Sequence, residues 1–275
     1  MSRPFHVTVR KLPVWLDWQR LLGDEPWQVR EEVDGWLEVE AELTRIAAAD
    51  LSARLRKVGI GGSWIELDIS PPLNRRELRK AMTEEARRYR KGSIGFSKSG
   101  AKLDSEGKFS LTPEAIALEL GKRAGKIHVL DAFAGAGGNA IGFARAGCRV
   151  TAVELNKSRL AMARHNARLY GVADRIQFIA GDACEELAKQ KADLLFLDPP
   201  WGERYNKERV SLDELPPCAE VLAKATAIPD RWLKVPPSFD TGCLPDYEAE
   251  AIFGVGPGDN RRVKFLLMSS SQVTG

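Results

Sequence analysis

The sequence predicts an α/β protein in which a doubly wound parallel sheet follows a small N-terminal α/β domain. From residue 111 onward, apolar strand-like segments alternate with segments whose apolar residues recur at helical spacing. An acidic residue ends each of four predicted strands in this region. Two prolines at 71–72 and a stretch rich in Gly, Ser and Lys at 91–110 precede it. We therefore predict three parts, at residues 1–73, 74–110 and 111–275.

The first part mixes strand-like and helix-like segments, which predicts a small α/β domain. Strands are expected at FHVTVRKL, GWLEVEAEL and SWIELDIS, and helices at DWQRLLG and AADLSARLRKVGI. Five of the seven tryptophans lie in this part. Most of these rings are expected to belong to the core of the domain.

The second part begins with a basic helix at residues 74–91. This run, NRRELRKAMTEEARRYRK, has eight basic and three acidic residues, and Asn74 is a favourable N-cap. The charge excess lies in residues 1–100, which have 18 Lys and Arg against 15 Asp and Glu, whereas residues 101–275 have 23 of each. This distribution indicates a nucleic-acid surface. The alternative is a solvated helix face with Glu–Arg pairs. Residues 91–110 are typical of a linker.

The third part has a regular rhythm of helices and strands. Helices are expected at TPEAIALELGKRAG, NAIGFARAG, KSRLAMARHNARLYGV and CEELAKQ, and strands at KIHVLDAF, RVTAVEL, RIQFIAGD and ADLLFLD. The final segment, EAEAIFGVGPGDNRRVKFLLM, is expected to form two strands joined by a Gly/Asn turn. This rhythm is the basis for the predicted parallel sheet.

Composition limits the class of protein. The chain has 275 residues, of which 44% are hydrophobic and 29% charged, so it can form a core and remain soluble. It has no apolar stretch near the roughly 20 residues that span a bilayer, and its first residues do not resemble a signal peptide. Three histidines and four cysteines show no metal-ligand spacing. We predict a cytoplasmic protein without a metal site; its oligomeric state is left open.

A nucleoside-binding site is predicted at the carboxyl ends of the parallel strands. The segment VLDAFAGAGGNAIGFA ends a strand at Asp131 and continues through a glycine turn that lets a ligand approach the backbone. Glu154 lies 23 residues later at the end of the next strand, where a carboxylate can accept hydrogen bonds from ribose hydroxyls. Asp182 ends the third strand and is placed to meet an adenine amino group. Asp198 ends the fourth, within FLDPPWG.

The FLDPPWG corner suits a reaction at an exocyclic amine, which is a weak nucleophile because its lone pair is delocalised into the ring. A carboxylate at Asp198 and a carbonyl of the corner can accept the two N–H groups and orient the nitrogen. Pro199 and Pro200 fix the backbone and provide no competing N–H. Trp201 can stack on a base. The alternative is a rigid turn after a strand, with a core tryptophan.

These motifs together resemble the class I S-adenosylmethionine-dependent methyltransferases, and the fourth resembles the subset that methylates base amines. More closely, RYRKGSIGFSKSGAKLDSEGKFSLTPEAIALEL, DAFAGAGGNAIGFA, HNARLYGVADRIQFIAGD and FLDPPWG are similar to the trimethylguanosine synthase family, which methylates N2 of a guanine in RNA caps. The similarity covers residues 88–205. It implies a Rossmann-like methyltransferase sheet, S-adenosyl-L-methionine as cofactor and RNA as substrate.

The resemblance also implies roles for single residues. Asp131 and the turn from Ala134 to Gly138 would bind the methionine side of the cofactor, Glu154 its ribose and Asp182 its adenine. The acceptor site would consist of Asp198, Pro199, Pro200 and Trp201. The complete set of implied cofactor residues is Phe109, Ser110, Thr112, Pro113, Asp131, Ala134, Gly135, Gly137, Gly138, Glu154, Asp182 and Asp198.

Two departures from the family pattern concern the acceptor. The family usually has serine at the position of Asp198, and the segment WGERYNKERVSLDEL lacks the second glycine that is common after the tryptophan. Our leading hypothesis is an RNA guanine-N2 methyltransferase that contacts RNA through residues 74–91 and the N-terminal domain. The alternatives are an N-methyltransferase of a protein amide or small molecule on the same fold, and a non-catalytic RNA-binding module.

Overall fold

The N-terminal module, residues 5–70, consists of an antiparallel sheet with two helices. The computed structural model describes residues 4–105, 107–202 and 205–270, without the side chain of Phe109. In the four-stranded sheet the described strands lie in the order β2-β3-β1-β6, and β4 and β5 form a separate hairpin. The elements are β1 (Phe5–Pro13), α1 (Trp18–Leu22), β2 (Gln28–Val33), β3 (Trp36–Leu43), α2 (Arg45–Leu55), β4 (Gly59–Ile60), β5 (Ser63–Trp64) and β6 (Glu66–Ser70).

The basic segment forms a single long helix, as predicted. Helix α3 (Arg75–Tyr89) begins at Asn74, whose side chain accepts a hydrogen bond from the Glu77 backbone, while the Glu77 carboxylate accepts from the Asn74 backbone. This capping box satisfies two amides at the helix start. The following segment is irregular except for the short helix α4 (Gly107–Ser110).

The remainder of the chain forms a sheet of seven described strands with helices packed against it. The strand order is β12-β13-β11-β10-β7-β8-β9. Strands β7 to β11 pair in parallel, whereas β13 is antiparallel to both β11 and β12. The elements are α5 (Glu114–Ala124), β7 (His128–Asp131), α6 (Gly138–Ala146), β8 (Arg149–Glu154), α7 (Lys157–Tyr170), β9 (Ile176–Ala180), α8 (Ala183–Leu187), β10 (Leu194–Leu197), α9 (Cys218–Lys224), β11 (Asp230–Val235), β12 (Glu248–Phe253) and β13 (Val263–Ser269).

The predicted fold class is confirmed, and the strand order explains where a ligand can bind. The chain leaves β7 toward β8 on one side and reaches β10 on the other, so the order reverses between β7 and β10. Open α/β sheets bind ligands beside such a reversal, at the carboxyl ends of the strands. The final two strands pair as an antiparallel hairpin, as predicted.

Three strands were not predicted. Strand β4 (Gly59–Ile60) falls within the predicted helix AADLSARLRKVGI, which ends as α2 at Leu55 because Lys57, with a φ of 54°, takes the chain out of the helix. Strand β2, with the sequence QVREEV, is exposed along its whole length and has no apolar face. The positive φ angles of Asp34 (51°) and Gly35 (81°) show that this Asp-Gly pair forms the turn that connects β2 to β3. Strand β11, DRWLKV, carries two cations in a short run and lacks a strand-like pattern. The predicted strand SWIELDIS is divided into β5 and β6.

The N-terminal module and the larger sheet share a hydrophobic core. Val9 and Leu51 of the module belong to the same cluster of buried side chains as Val235, Phe239 and Met268. Two sets of hydrogen bonds join the same parts: the Gly61 amide donates to the Pro237 carbonyl over 3.0 Å, and the Arg20 guanidinium donates to the carbonyls of Asn260 and Gly254 over 3.0 and 3.1 Å. The boundaries at 73 and 110 stay a prediction.

The predicted linker is fixed to the larger domain by hydrogen bonds to Asp259, between β12 and β13, and to Asn166 of α7. Ser93 donates through its amide and hydroxyl to the Asp259 carboxylate, over 2.8 and 2.9 Å. Lys102 exchanges two backbone hydrogen bonds with the side chain of Asn166. The described part of this segment therefore has a defined path over the domain that follows it. In the described residues, no helix is long and apolar enough to cross a membrane.

Candidate active site

Four strand ends converge on one cleft, which encloses about 490 Å³. That volume lies within the range of small-molecule sites. Three of the four predicted acids line the cleft, and so do most of the residues expected to contact the cofactor. The predicted site residues that line it are Ser110, Thr112, Ala134, Gly135, Gly138, Glu154, Asp182, Asp198, Pro199 and Pro200.

The glycine turn between β7 and α6 forms the floor of the cleft. Gly135 has a φ of +52°, and the space into which a side chain would extend is open. The Gly135 amide donates to one oxygen of Glu154 over 2.8 Å, and the Asn156 amide donates to the other over 2.8 Å. The Glu154 carboxylate is therefore fixed at the cleft wall. Gly137 does not line the cleft; with a φ of +90° it packs the turn against Ala163 of α7.

The remaining two acids differ in exposure. Asp182 lines the cleft, and its Oδ1 accepts a hydrogen bond of 2.7 Å from the Cys184 amide at the start of α8. Asp131 is fully buried beneath the cleft and does not line it. Burial raises the pKa of Asp131 to about 8, and the negative charge of Asp198 acts in the same direction. Asp131 therefore carries a proton in the neutral range and shapes the floor as an uncharged group.

The lead-in segment, described at residues 104–105 and 107–113, covers one side of the cleft. Ser110 and Thr112 line it, as predicted, whereas Pro113 is buried behind it at the N-terminus of α5. The Asp104 carboxylate accepts a hydrogen bond of 2.7 Å from Arg159 of α7, which fixes the segment to the domain. The predicted contact of the Phe109 side chain lies outside the described part of the chain.

The acceptor corner follows β10, and two residues that were not predicted, Asn139 of α6 and Lys234 of β11, bind its acid. The Asp198 Oδ2 accepts hydrogen bonds of 2.8 Å from Asn139 Nδ2 and of 2.8 Å from Lys234 Nζ. Both ionic side chains are largely shielded, with 12% of Asp198 and 4% of Lys234 exposed. Asn139 could have been found because it directly follows the glycine turn. Lys234 could have been found as a lone cation in the apolar run WLKVPP.

Trp201 lies next to the cleft and is not among its lining residues. Its ring is partly buried and packs against both hydrophobic clusters. Its indole N–H donates to the Lys234 carbonyl over 3.4 Å, and Tyr205 packs edge-on with the ring centroids 5.9 Å apart. These contacts fix the plane of the indole at the edge of the corner.

The cleft has polar groups suited to a nucleoside cofactor with a charged tail. Thr112 Oγ1 and Asn139 Oδ1 are buried at the cleft and have no hydrogen-bond partner in the described residues. Buried polar atoms normally have such a partner, so a bound ligand is the natural source. The open backbone at Gly135 and the fixed Glu154 carboxylate fit the turn-and-ribose pattern of nucleoside sites. Within the described ranges, no group of three acidic, His or Cys side chains could bind a metal.

The strand order and this cleft together define a class I S-adenosylmethionine-dependent methyltransferase fold. Residues 126–227 match the family of RNA cap guanine-N2 methyltransferases. This segment includes the glycine turn, the three strand-end acids that line the cleft and the acceptor corner. Residues 126–227 are therefore the part of the chain that is similar to that family.

Two relatives of the chain are trimethylguanosine synthases. Over 138 residues the chain is 38% identical to the trimethylguanosine synthase of Schizosaccharomyces pombe, which covers 46% of this chain and 57% of that protein. Over 147 residues it is 31% identical to the trimethylguanosine synthase of Saccharomyces cerevisiae. This match covers 50% of this chain and 45% of that protein. The chain thus spans about half the length of these curated relatives.

Among solved structures, the chain is similar to a methyltransferase from Geobacter sulfurreducens. The two share 18% identity over 57% of this chain and 77% of that one, with a TM-score of 0.40. It is also similar to a SAM-dependent methyltransferase from Thiobacillus denitrificans in complex with S-adenosyl-L-homocysteine. The two share 23% identity over 45% of this chain and 48% of that one, with a TM-score of 0.35.

Proposed function

We propose that this protein is an S-adenosylmethionine-dependent methyltransferase that acts on the exocyclic N2 amine of guanine in RNA. The observation that carries the proposal is the Asp198 carboxylate, which lines the cleft while Asn139 and Lys234 bind one of its oxygens. The match of residues 126–227 to the guanine-N2 family supports this choice of acceptor.

The residues of the corner act by orienting the acceptor. Asp198 accepts one N–H of the amine, and a carbonyl of the Pro199–Pro200 corner accepts the other, so the nitrogen lone pair is directed into the cleft. The carboxylate also offsets the positive charge that develops on the nitrogen. The two prolines contribute no N–H that would compete. Trp201 supplies a ring face on which the base can stack.

The cleft residues bind the cofactor, which supplies an activated methyl group on a sulfonium. Glu154 accepts hydrogen bonds from the ribose, and Asp182 contacts the adenine. The turn at Gly135, together with Ser110 and Thr112, surrounds the methionine part. Because the sulfonium is already reactive, the chief task of the protein is to position the two reactants.

The RNA is assigned to one face of α3. Arg76, Arg79, Lys80 and Arg87 are exposed and lie on the side of the helix opposite the buried Ala81. Their spacing places four cations on one surface. Arg87 forms an ion pair with Glu84 over 3.8 Å, so the phosphates of RNA are assigned to Arg76, Arg79 and Lys80. The ion pairs of Glu77 and Glu85 are made on the other side of the helix, with Arg45 and Arg262.

The outer face of the N-terminal sheet is less suitable for RNA because acidic residues predominate there. Glu38, Glu40 and Glu42 alternate along β3 with the buried residues of the core. Arg10 pairs with Glu38 and Arg30 with Glu40. We therefore assign RNA selection by the N-terminal module to the side that carries α3. The cytoplasmic location stays a prediction from the sequence.

The decisive test is methyl transfer from labelled S-adenosylmethionine to RNA, followed by nucleoside mass spectrometry. We expect N2-methylguanosine with the wild-type protein and a roughly 100-fold lower rate with Asp198→Asn, because the amine loses its charged acceptor. The control is Asp174→Asn, which changes an exposed acid away from the cleft. Unlabelled RNA despite intact cofactor binding would refute the proposal and direct the search to protein amides and small molecules.

A further inference from the structure

We propose that Lys234 is a positioning residue that joins Asp198, the ring of Trp201 and the lead-in segment into one unit. This inference rests on the proposed function, because it assigns a role within the same reaction. Lys234 lies outside residues 126–227, the part of the chain that matches the methyltransferase family. It lies on β11, the strand that pairs in parallel with β10.

Strand register brings Lys234 to the acid. Leu197 of β10 is paired with Leu233 of β11, so the next residue on each strand is Asp198 and Lys234. The ammonium then reaches Asp198 Oδ2 over 2.8 Å. Since Asn139 also binds Oδ2, this oxygen has two donors. The carboxylate is thereby fixed in one orientation, with Oδ1 left to accept the amine.

A second hydrogen bond connects the same ammonium to the lead-in segment. Lys234 Nζ donates to the carbonyl of Ser110 over 3.0 Å. Ser110 and Thr112 line the cleft. A movement of the lead-in segment is therefore transmitted to Asp198 through one side chain. This hydrogen bond links the cofactor side of the cleft to the acceptor side.

The acceptor ring is the third group that Lys234 touches. Lys234 Nζ lies 5.2 Å from the centroid of the Trp201 ring, a cation–π distance, and the Lys234 carbonyl accepts the indole N–H over 3.4 Å. Phe265 lies on β13, and the centroid of its ring is 5.3 Å from the same ammonium. With two hydrogen bonds and these rings around it, the buried ammonium is satisfied. One lysine thus sets both the acid and the plane of the ring.

A purely stabilising ion pair is the simpler explanation, and a matched variant distinguishes the two. Lys234→Met keeps an unbranched side chain that is one atom shorter and removes the charge. The control is Lys264→Met on β13, which removes a lysine that binds the buried Asp259 over 3.2 Å. Both variants lose a shielded Lys–Asp pair, but only the first pair lies at the cleft.

We expect Lys234→Met to lower kcat by about 100-fold, the order of effect that misplacement of a reacting group produces. KM for the cofactor should rise because Ser110 is released, whereas KM for RNA should change little. Hydrogen exchange of backbone amides in residues 107–113 should become faster. Lys264→Met should leave kcat and that exchange as in the wild type. Lys234→Arg, which keeps the charge, should recover part of kcat.

The inference is overturned if folded Lys234→Met has wild-type kcat and unchanged exchange in residues 107–113. Equal losses in both methionine variants would also overturn it, because they would reveal a general stability effect. If Lys234→Met does not fold, Lys234→Gln and Lys234→Arg provide the same comparison. Failure of the proposed function has a different signature, since the wild type itself would then leave RNA unmethylated while the exchange difference persists.

Discussion

At the scale of residues, the strand-end carboxyl groups of Asp131 and Asp198 have opposite environments. Asp198 has a cationic partner at 2.8 Å, whereas Asp131 is fully buried and faces the charges of Asp198 and Glu154. Burial first, and those charges second, raise the pKa of Asp131 to about 8. The Asp198 carboxylate is thereby available to the acceptor, while the protonated carboxyl group of Asp131 is a neutral part of the cleft floor.

This difference predicts a pH-dependent effect of Asp131→Asn. Between about pH 4 and pH 8 the unfolded chain has an ionised Asp131 and the folded chain a protonated one, so the unfolded state binds fewer protons. The contribution of this group to the free energy of unfolding therefore decreases as the pH rises through that window. Asn has no such proton, so the variant should gain stability relative to the wild type as the pH increases.

Urea unfolding at pH 5 and pH 8 measures this effect. The difference in free energy of unfolding between Asp131→Asn and wild type should be more favourable to the variant at pH 8. Asp174→Asn, at an exposed position, serves as the control and should show no comparable trend. A difference that stays constant across the window would contradict the raised pKa.

At the scale of elements, the N-terminus of α5 fixes the path of the chain toward the cleft. Glu114 Oε2 accepts hydrogen bonds from the Ser97 amide (2.8 Å) and the Tyr170 hydroxyl (2.5 Å), and Oε1 accepts from Arg145 (2.6 Å). Burial alone would raise its pKa, but these donors dominate and lower the pKa of Glu114 to about 2. The segment before α4 is thus connected to α5, α6 and α7 at one carboxylate.

Glu114→Gln should therefore destabilise the protein by about 2–3 kcal/mol at pH 7, since the charge-assisted hydrogen bonds are lost. A lowered pKa gives stability that is present above the unfolded value near 4.5 and disappears as the pH falls toward 2. The difference between wild type and variant should shrink over that range in denaturant titrations. Glu119→Gln, an exposed residue on the same helix, should have little effect. A loss independent of pH would refute this assignment.

The exposed cations of helix α3 lead to a separate prediction about RNA affinity. Replacing Arg76, Arg79 and Lys80 with Gln should weaken RNA binding and reduce the slope of log K against log salt by about one for each phosphate that is no longer neutralised. kcat at saturating RNA should be unchanged, because these residues lie outside the cleft. Arg168→Gln on α7 is the control for charge alone. An unchanged salt slope would show that the RNA binds another surface.

At the scale of the whole molecule, the shared core predicts that both parts unfold together. Five of the seven tryptophans lie in residues 1–73, so fluorescence reports mainly on the N-terminal module, whereas far-UV circular dichroism reports mainly on the helices of the larger domain. Because buried side chains of both belong to one cluster, the two signals should have the same denaturation midpoint. Two separate midpoints would indicate that the module folds independently.

Much of the fold and cleft could be predicted from the sequence because those signals are local. Alternating apolar segments from β7 to β10 indicate a parallel sheet, and the carboxyl ends of parallel strands meet at one edge. Glu154, Asp182 and Asp198 could therefore be assigned to one site before their contacts were known. The capped basic helix was predicted in the same way, from Asn74 and the charge run after it.

Tertiary structure decided what connects these parts. Strand β11 has no clear apolar pattern, and Lys234 meets Asp198 only because β11 pairs with β10 in one register. Asp131 belongs to the same set of strand-end acids, yet its depth in the fold removes it from the cleft and changes its protonation. The shared core also depends on packing between distant segments. Local sequence specifies which residues end each strand, whereas burial and partners depend on how the strands assemble.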